Sequence, residues 1–294
     1  MSETRRILIL GAGGQVGTEL RRSFADAGDV TAWDRNIADL SQPEGLRSLI
    51  HELRPDIILN AAAYTAVDRA ESEPELAMTI NGDAPRVLAE EASKLGALLV
   101  HYSTDYVFDG AKDSPWVESD ATGPLNVYGR TKLAGERAIE ETGGRYLIFR
   151  TSWVYGAHGR NFLLTMLRLG RERDQLKVVD DQFGAPTSSA AIADATRAVI
   201  EKAASGDTGN SGNYHMTCGG ETSWCGFARE IFARQALQTG GKSPQILPIP
   251  SSEYPVPAAR PANSVLSNRK LQSAFGIALP DWRSALDATM KTLA

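Results

Sequence analysis

The chain is poor in sulfur and has no cluster of metal-binding side chains. Cys218 and Cys225 are its only cysteines, and their separation of seven fits neither a zinc spacing nor a CxxC redox pair. Both are expected to be reduced and structural. The histidines, His51, His101, His158 and His215, are scattered with no HExxH or paired-ligand pattern, so no catalytic metal is expected. An excess of basic charge is also missing. With 31 Lys and Arg against 36 Asp and Glu, the net charge of -5 argues against nucleic acid or an anionic membrane as partner, since both need a clustered basic surface. Long apolar runs are absent too. Ile7-Leu8-Ile9-Leu10 leads straight into glycine and is too short for a signal-peptide core or a membrane span, so the expected location is the cytoplasm. The sequence shows no repeats, no low-complexity tract and no run of like charges.

What is present is an ordinary globular composition, 294 residues with 42% hydrophobic and 23% charged, long enough for one large or two modest domains. In the first half, strand-length apolar runs alternate with amphipathic stretches. Strands are expected at 7–10, 30–33, 56–60, 97–102 and 146–150, with helices at 16–27, 43–53, 84–95 and 128–141. That order predicts an α/β, Rossmann-type doubly wound parallel sheet with a smaller C-terminal substrate-binding lobe. The strands' C-terminal ends would share one edge, where ligands bind. Beyond Arg150 the pattern loosens to a helix around 161–172, a strand near 176–179, a helix at 190–204 and a final helix from Trp282 to Leu293. Segments 206–212 and 238–250 read as loops because they are rich in Gly, Ser and Pro. The expected division is 1–154 plus about 176–212 as the nucleotide-binding domain, and about 155–175 with 213–294 as the smaller lobe.

Gly11-Ala-Gly-Gly14-Gln15-Val16-Gly17 sits where the first strand ends and a helix begins, the context in which a glycine fingerprint marks a dinucleotide site. The first glycine permits the turn, the middle ones admit a pyrophosphate to the helix N-terminus, and Gly17 allows close helix-to-strand packing. Asp34 ends the second strand in the position for a carboxylate on the adenosine ribose, which favours NAD. Arg35 follows at once and could hold a 2′-phosphate, which favours NADP; the choice stays open. Asp39 and Leu40 could embrace the adenine. Asn60-Ala61-Ala62-Ala63 closes the third strand with small side chains against which a diphosphate and ribose could lie, and Tyr64 and Thr65 follow.

Tyr128 and Lys132 stand four apart on one face of a helix, where an ammonium would favour phenolate and pull the tyrosine down from its usual pKa. Ser103-Thr104-Asp105-Tyr106 closes the fourth strand, so Thr104 would project at the same sheet edge. Together with the glycine loop these residues describe a nicotinamide-dependent enzyme acting on a ketone. Tyr128 would supply the proton, Thr104 would hydrogen-bond the carbonyl oxygen, and Lys132 would hold the nicotinamide ribose. Asp105 could accept hydroxyl hydrogen bonds, Trp153 could offer a ring face, and Arg260 could bind a substrate diphosphate.

These motifs resemble the extended short-chain dehydrogenase/reductases, with GxxGxxG at Gly11, Gly14 and Gly17 and YxxxK at Tyr128 and Lys132. The longer strings AAAYTAVDRAESEPELA at 61–77, HYSTDYVFDG at 101–110, GPLNVYGRTKLAGE at 123–136, FRTSWVYG at 149–156, DQFGAPTS at 181–188 and YPVPAARPANSVL at 254–266 are similar to the dTDP-4-dehydrorhamnose reductase family. The resemblance implies reduction by NADPH or NADH of the C4 ketone of a dTDP-linked 4-keto-6-deoxy sugar, the last step of dTDP-L-rhamnose synthesis. It assigns Tyr128 as proton donor, Thr104 and Lys132 as its companions, Asp105, Tyr106 and Trp153 to the sugar nucleotide, and Tyr102 and Thr65 to the cofactor. It also brings up a homodimer with magnesium at the contact; Glu19 is one acidic candidate, but Thr187-Ser188-Ser189-Ala190 offers no second carboxylate, so no metal is expected. The alternatives are a related epimerase or dehydratase, and a non-catalytic subunit like the regulatory subunit of methionine adenosyltransferase. A dehydratase would want an Asp-Glu pair after Thr104, where Asp105-Tyr106 stands.

Overall fold

The computed structural model describes residues 4–205, 211–241 and 243–293. Six parallel strands form its main sheet: β1 Arg6–Leu10, β2 Asp29–Trp33, β3 Ile57–Asn60, β4 Leu98–Thr104, β5 Arg145–Thr151 and β6 Gly212–His215. Their spatial order is β6-β5-β4-β3-β1-β2, a doubly wound arrangement that reverses direction beside β1. Inner strands of such a sheet are covered on both faces, and β3 and β4 are buried at every position. Alternate residues feed two cores. Ile7, Ile9, Leu59, Val100 and Phe149 face one side; Leu8, Leu10, Ile58, Leu99 and Ile148 face the other.

Helices α1 Gln15–Ser23, α2 Pro43–Leu53, α3 Ala84–Leu95, α4 Val127–Thr142 and α5 Ser189–Ser205 cover these faces. α1 packs on α5, while α3 packs between α2 and α4. Local chemistry sets their starts. Pro43 and Glu44 open α2, suiting the orphan N–H groups and the positive end of the helix dipole. Asn126 caps α4, its Oδ1 accepting from Gly129 N at 2.8 Å. Gly129 also lets α4 sit close, because a Cβ there would lie 2.2 Å from the Tyr106 carbonyl oxygen.

The sequence expectation holds for the first five strands and their helices and departs further on. Gly212 was assigned to a loop, yet it begins β6; residues 206–210 of that loop lie outside the described residues. The segment 238–250 contains a strand, Gln245–Ile249, which pairs in parallel with Gln175–Val179 away from the main sheet. Its Ile246 packs on the apolar core and its Ile249 is buried, a pattern that the Gly and Pro content masked. The helix Trp224–Thr239, unread in the sequence, packs on both of those strands. Among the described residues no helix is long and apolar enough to cross a membrane. Cys218 and Cys225 are buried and free.

One buried ion pair joins α4 to β5. Arg150 Nε and Nη2 donate to the two Glu136 carboxylate oxygens at 2.9 and 2.6 Å, with both residues no more than 3% exposed. Removing one partner of such a pair strands the other charge. Arg150→Met is expected to cost about 3–5 kcal/mol of stability by urea denaturation; a loss below about 1 kcal/mol, the range of exposed pairs, would contradict this account.

Candidate active site

At the C-terminal edge of the sheet lies an open cleft of about 720 Å³. It is lined by Gly11, Gly14, Gln15 and Val16 from the first turn, by Asp34, Arg35, Asp39 and Leu40 after β2, and by Ala61, Ala62, Ala63, Tyr64 and Thr65 after β3. Tyr102, Tyr128 and Lys132 also line it. Gly17 stands one layer behind. A Cβ there would come within 2.0 Å of the Gly11 carbonyl oxygen, so only glycine lets α1 begin this close to the turn.

The cleft passes three tests of fit to a dinucleotide. No side chain caps the start of α1 and its first turn carries no acid, so its positive end is open to a pyrophosphate. Asp34 folds back on Asn36, accepting from its backbone N at 2.9 Å, while the exposed Arg35 makes a 3.5 Å contact with Asp39 and remains at the rim for a phosphate. Buried hydroxyls of Ser103 and Thr151 line the cleft without a protein hydrogen-bond partner. Sequence reasoning missed both as site residues, along with Gly159 and Arg160, which also line the cleft.

Asn81 is another residue without a local signal. It sits in a π-helical turn, Thr79–Asp83, and is fully buried. Its side chain takes Tyr64 N at 2.9 Å and gives to Tyr64 O at 3.1 Å and Thr131 Oγ1 at 3.2 Å, tying the cleft loop to α4. The Tyr64 hydroxyl turns away to Glu73 at 2.7 Å, and the Tyr102 hydroxyl is tied to Thr196 at 2.9 Å.

The expected catalytic group divides into two contacts. Lys132 is 1% exposed, and its Nζ reaches the Tyr102 carbonyl at 2.7 Å and His101 Nε2 at 3.0 Å. Burial lowers its ammonium to about 8, with Glu136 opposing. Tyr128 instead meets Tyr106 edge to face, ring centroids 5.5 Å apart, and lies beside the Thr104 hydroxyl. The expected depression of the phenol is not found: burial raises the Tyr128 hydroxyl above its ordinary value and Thr104 pulls it only partly back. Lys132 spends its hydrogen bonds on β4, and desolvation of the phenol prevails.

The remaining predicted residues lie outside the cleft's lining. Thr104 Oγ1 donates to Asp105 Oδ1 at 3.0 Å and accepts from Tyr106 N at 3.2 Å. Burial pushes the Asp105 carboxyl up to about 6. Arg260 gives Nη1 to the Tyr106 hydroxyl at 3.1 Å and Nη2 to Asp68 at 2.8 Å, so this guanidinium closes a line from Tyr128 through Tyr106 to Asp68. Trp153 stacks on Trp224 with centroids 3.6 Å apart, and its φ of +50° is a strained conformation for an aromatic residue. Glu19 bonds Arg22, which also reaches Asp194 at 2.7 Å; among the described residues no group of three metal-ligating side chains exists.

Residues 5–294 match the family described as the RmlD substrate binding domain. A dTDP-4-dehydrorhamnose reductase of Burkholderia thailandensis is 53% identical, covering 98% of this chain and 99% of its own. The chain belongs to the dTDP-4-dehydrorhamnose reductase family. The namesake from Escherichia coli K12 is 46% identical over 98% of this chain and 97% of its own. The crystal structure of the Bacillus anthracis family member in complex with NADP superposes with a TM-score of 0.92 at 35% identity, covering 98% of this chain and 99% of that one.

The lowered lysine has a measurable consequence. Its folded pKa of about 8 lies below the unfolded value, so between the two the unfolded chain binds more protons and stability rises with pH. Wild type is therefore expected to gain stability relative to Lys132→Met as pH is raised through 8 toward about 10 in paired denaturation curves. Parallel curves would show that Lys132 titrates normally.

Proposed function

We propose that the protein reduces the C4 ketone of dTDP-4-dehydro-L-rhamnose to dTDP-L-rhamnose with NADPH or NADH, the last step of dTDP-rhamnose synthesis. The observation that carries this reading is one cleft that joins a glycine-turn dinucleotide cradle to Tyr128 and Lys132 in a chain of this family. A bound nicotinamide supplies the hydride. The chain's own residues would do the rest. The open start of α1 and Ala61, Ala62 and Ala63 would receive the diphosphate and ribose, and Lys132 would hydrogen-bond the nicotinamide ribose. Thr104 and Tyr128 would both address the ketone oxygen, and Tyr128 would deliver its proton as negative charge builds there. A phenol raised by burial keeps that proton at neutral pH until the oxygen demands it.

Asp105, Tyr106, Trp153 and Arg260 would frame the sugar nucleotide beyond the cleft, with Arg260 fixing Tyr106 behind Tyr128. Exposure of Arg35 beside Asp34 supports NADPH as the better cofactor. This work would be done in the cytoplasm, where both nucleotides are found. The absence of an Asp-Glu pair after Thr104, where Asp105-Tyr106 stands, speaks against a dehydratase.

Tyr128→Phe is expected to lower kcat for ketone reduction by about 10² to 10⁴-fold with little change in cofactor affinity; near-wild-type turnover would remove Tyr128 from the acid role. Arg35→Ala is expected to raise KM for NADPH while leaving KM for NADH unchanged. Equal effects on both would show that Arg35 does not read the 2′-phosphate.

A further inference from the structure

Beneath the floor of the cleft, Asn60, His101 and Lys132 form a buried line, each 1% exposed. The parallel register sets Asn60 of β3 beside His101 of β4. Asn60 Nδ2 lies 3.0 Å from His101 Nδ1, and His101 Nε2 lies 3.0 Å from Lys132 Nζ. The far end of the line is anchored in the cofactor cleft, where the Ala62 backbone N–H donates to Asn60 Oδ1 at 3.2 Å.

That anchor decides the protons. With its oxygen engaged by Ala62, the Asn60 amide presents its NH₂ to the ring, so His101 Nδ1 must be the bare acceptor. A neutral imidazole carries a single proton, which therefore sits on Nε2 and points at Lys132. His101 is neutral here, since burial and then the nearby Lys132 hold its pKa well below the ordinary value. An N–H aimed at Nζ is satisfied by the lone pair of an amine and opposed by an ammonium.

We propose that Asn60 and His101 are positioning residues that disfavour the ammonium form of Lys132 in the cofactor-free protein, and that the Ala62 backbone couples this bias to occupancy of the cleft. The proposal rests on the reading of that cleft as the dinucleotide site. Other groups facing Lys132 are few. Glu136 lies one turn along α4 and is committed to Arg150 of β5, Tyr128 lies one turn before, and β4 contributes the Tyr102 carbonyl. To become an ammonium with a full set of acceptors, Lys132 needs His101 to carry its proton on Nδ1. That in turn needs the Asn60 amide to turn over and release Ala62 N–H. A ligand that engages Ala62 N–H and offers hydroxyl oxygens to Lys132 drives both changes, with one proton taken up from solvent by the lysine. Above about pH 8, where the amine form prevails, Lys132 then acquires its charge as the cofactor arrives.

The test is the tautomer of His101, read by ¹⁵N imidazole NMR of the cofactor-free protein between about pH 6.5 and 9.5, with the signal assigned by its loss in His101→Gln. Wild type is expected to show the Nε2–H tautomer at the alkaline end. Asn60→Asp, whose carboxylate can only accept, is expected to hold Nδ1–H throughout and to move the alkaline limb of NADPH binding upward, about tenfold in Kd for one pH unit. A purely structural role would lower Tm and leave both readouts unmoved. Nδ1–H in wild type at every pH, or an unchanged limb in a folded Asn60→Asp, would overturn the proposal. The wild-type spectrum alone decides the first point should that variant not fold. Failure of wild type to bind NADPH at all would instead count against the cleft's assignment, which the ligand-free spectra do not use.

Discussion

The hydrogen bond from Lys132 Nζ to the Tyr102 carbonyl, 2.7 Å long and sealed from solvent, is the contact on which the site depends. It fixes α4 against the C-terminal half of β4, and so sets where Tyr128 stands relative to Thr104. An amine that can be charged is costly to bury, and the fold meets that cost with neighbours rather than with water. Glu136 follows one turn later in a two-pronged pair with Arg150, and Asn126 and Gly129 let the helix start tight against the turn after β4. Each of these belongs to the stretch from Asn126 to Glu136, which explains why so short a segment carries so much of the site.

Around that contact the cleft is assembled from strand ends. β1, β3 and β4 deliver the glycine turn, the alanine loop and the Ser103-Thr104 pair to one edge because they run parallel. Asn81 and Gln15 then stitch the loops together, Asn81 to Thr131 of α4 and Gln15 to Asn161, which caps the next helix. Through Asn81 the alanine loop of the dinucleotide side is thus tied to the helix that carries Tyr128.

Much of this was legible in the sequence, for reasons that differ by element. β1 announces itself as an apolar run and β4 begins as one, and Gly11, Gly14, Gly17, Tyr128 and Lys132 are local motifs whose meaning comes from the strand or helix next to them. β6 was not legible, because Gly212-Asn-Tyr-His215 has no apolar run and owes its place to pairing with β5. Ser103 and Thr151 were equally hidden, since each is polar and unremarkable until register brings it to the cleft, and Asn81 lies in a helical turn with no local motif. His101 left one trace: a polar ring inside an otherwise apolar central strand, a pattern that in hindsight marks a buried partner. The direction of the Tyr128 shift was misjudged because helix spacing says that Tyr and Lys are neighbours but not which acceptor the lysine prefers.

The central claim is direct reduction at C4, and isotope transfer tests it without relying on mutants. Protein, dTDP-4-dehydro-L-rhamnose and NADPH deuterated at the transferable nicotinamide position would be combined and the sugar nucleotide recovered. The account predicts dTDP-L-rhamnose carrying one deuterium at C4, in step with NADPH consumed. Sugar recovered without deuterium, with the added cofactor intact, would contradict it and point to a chain that binds or isomerises the sugar nucleotide instead.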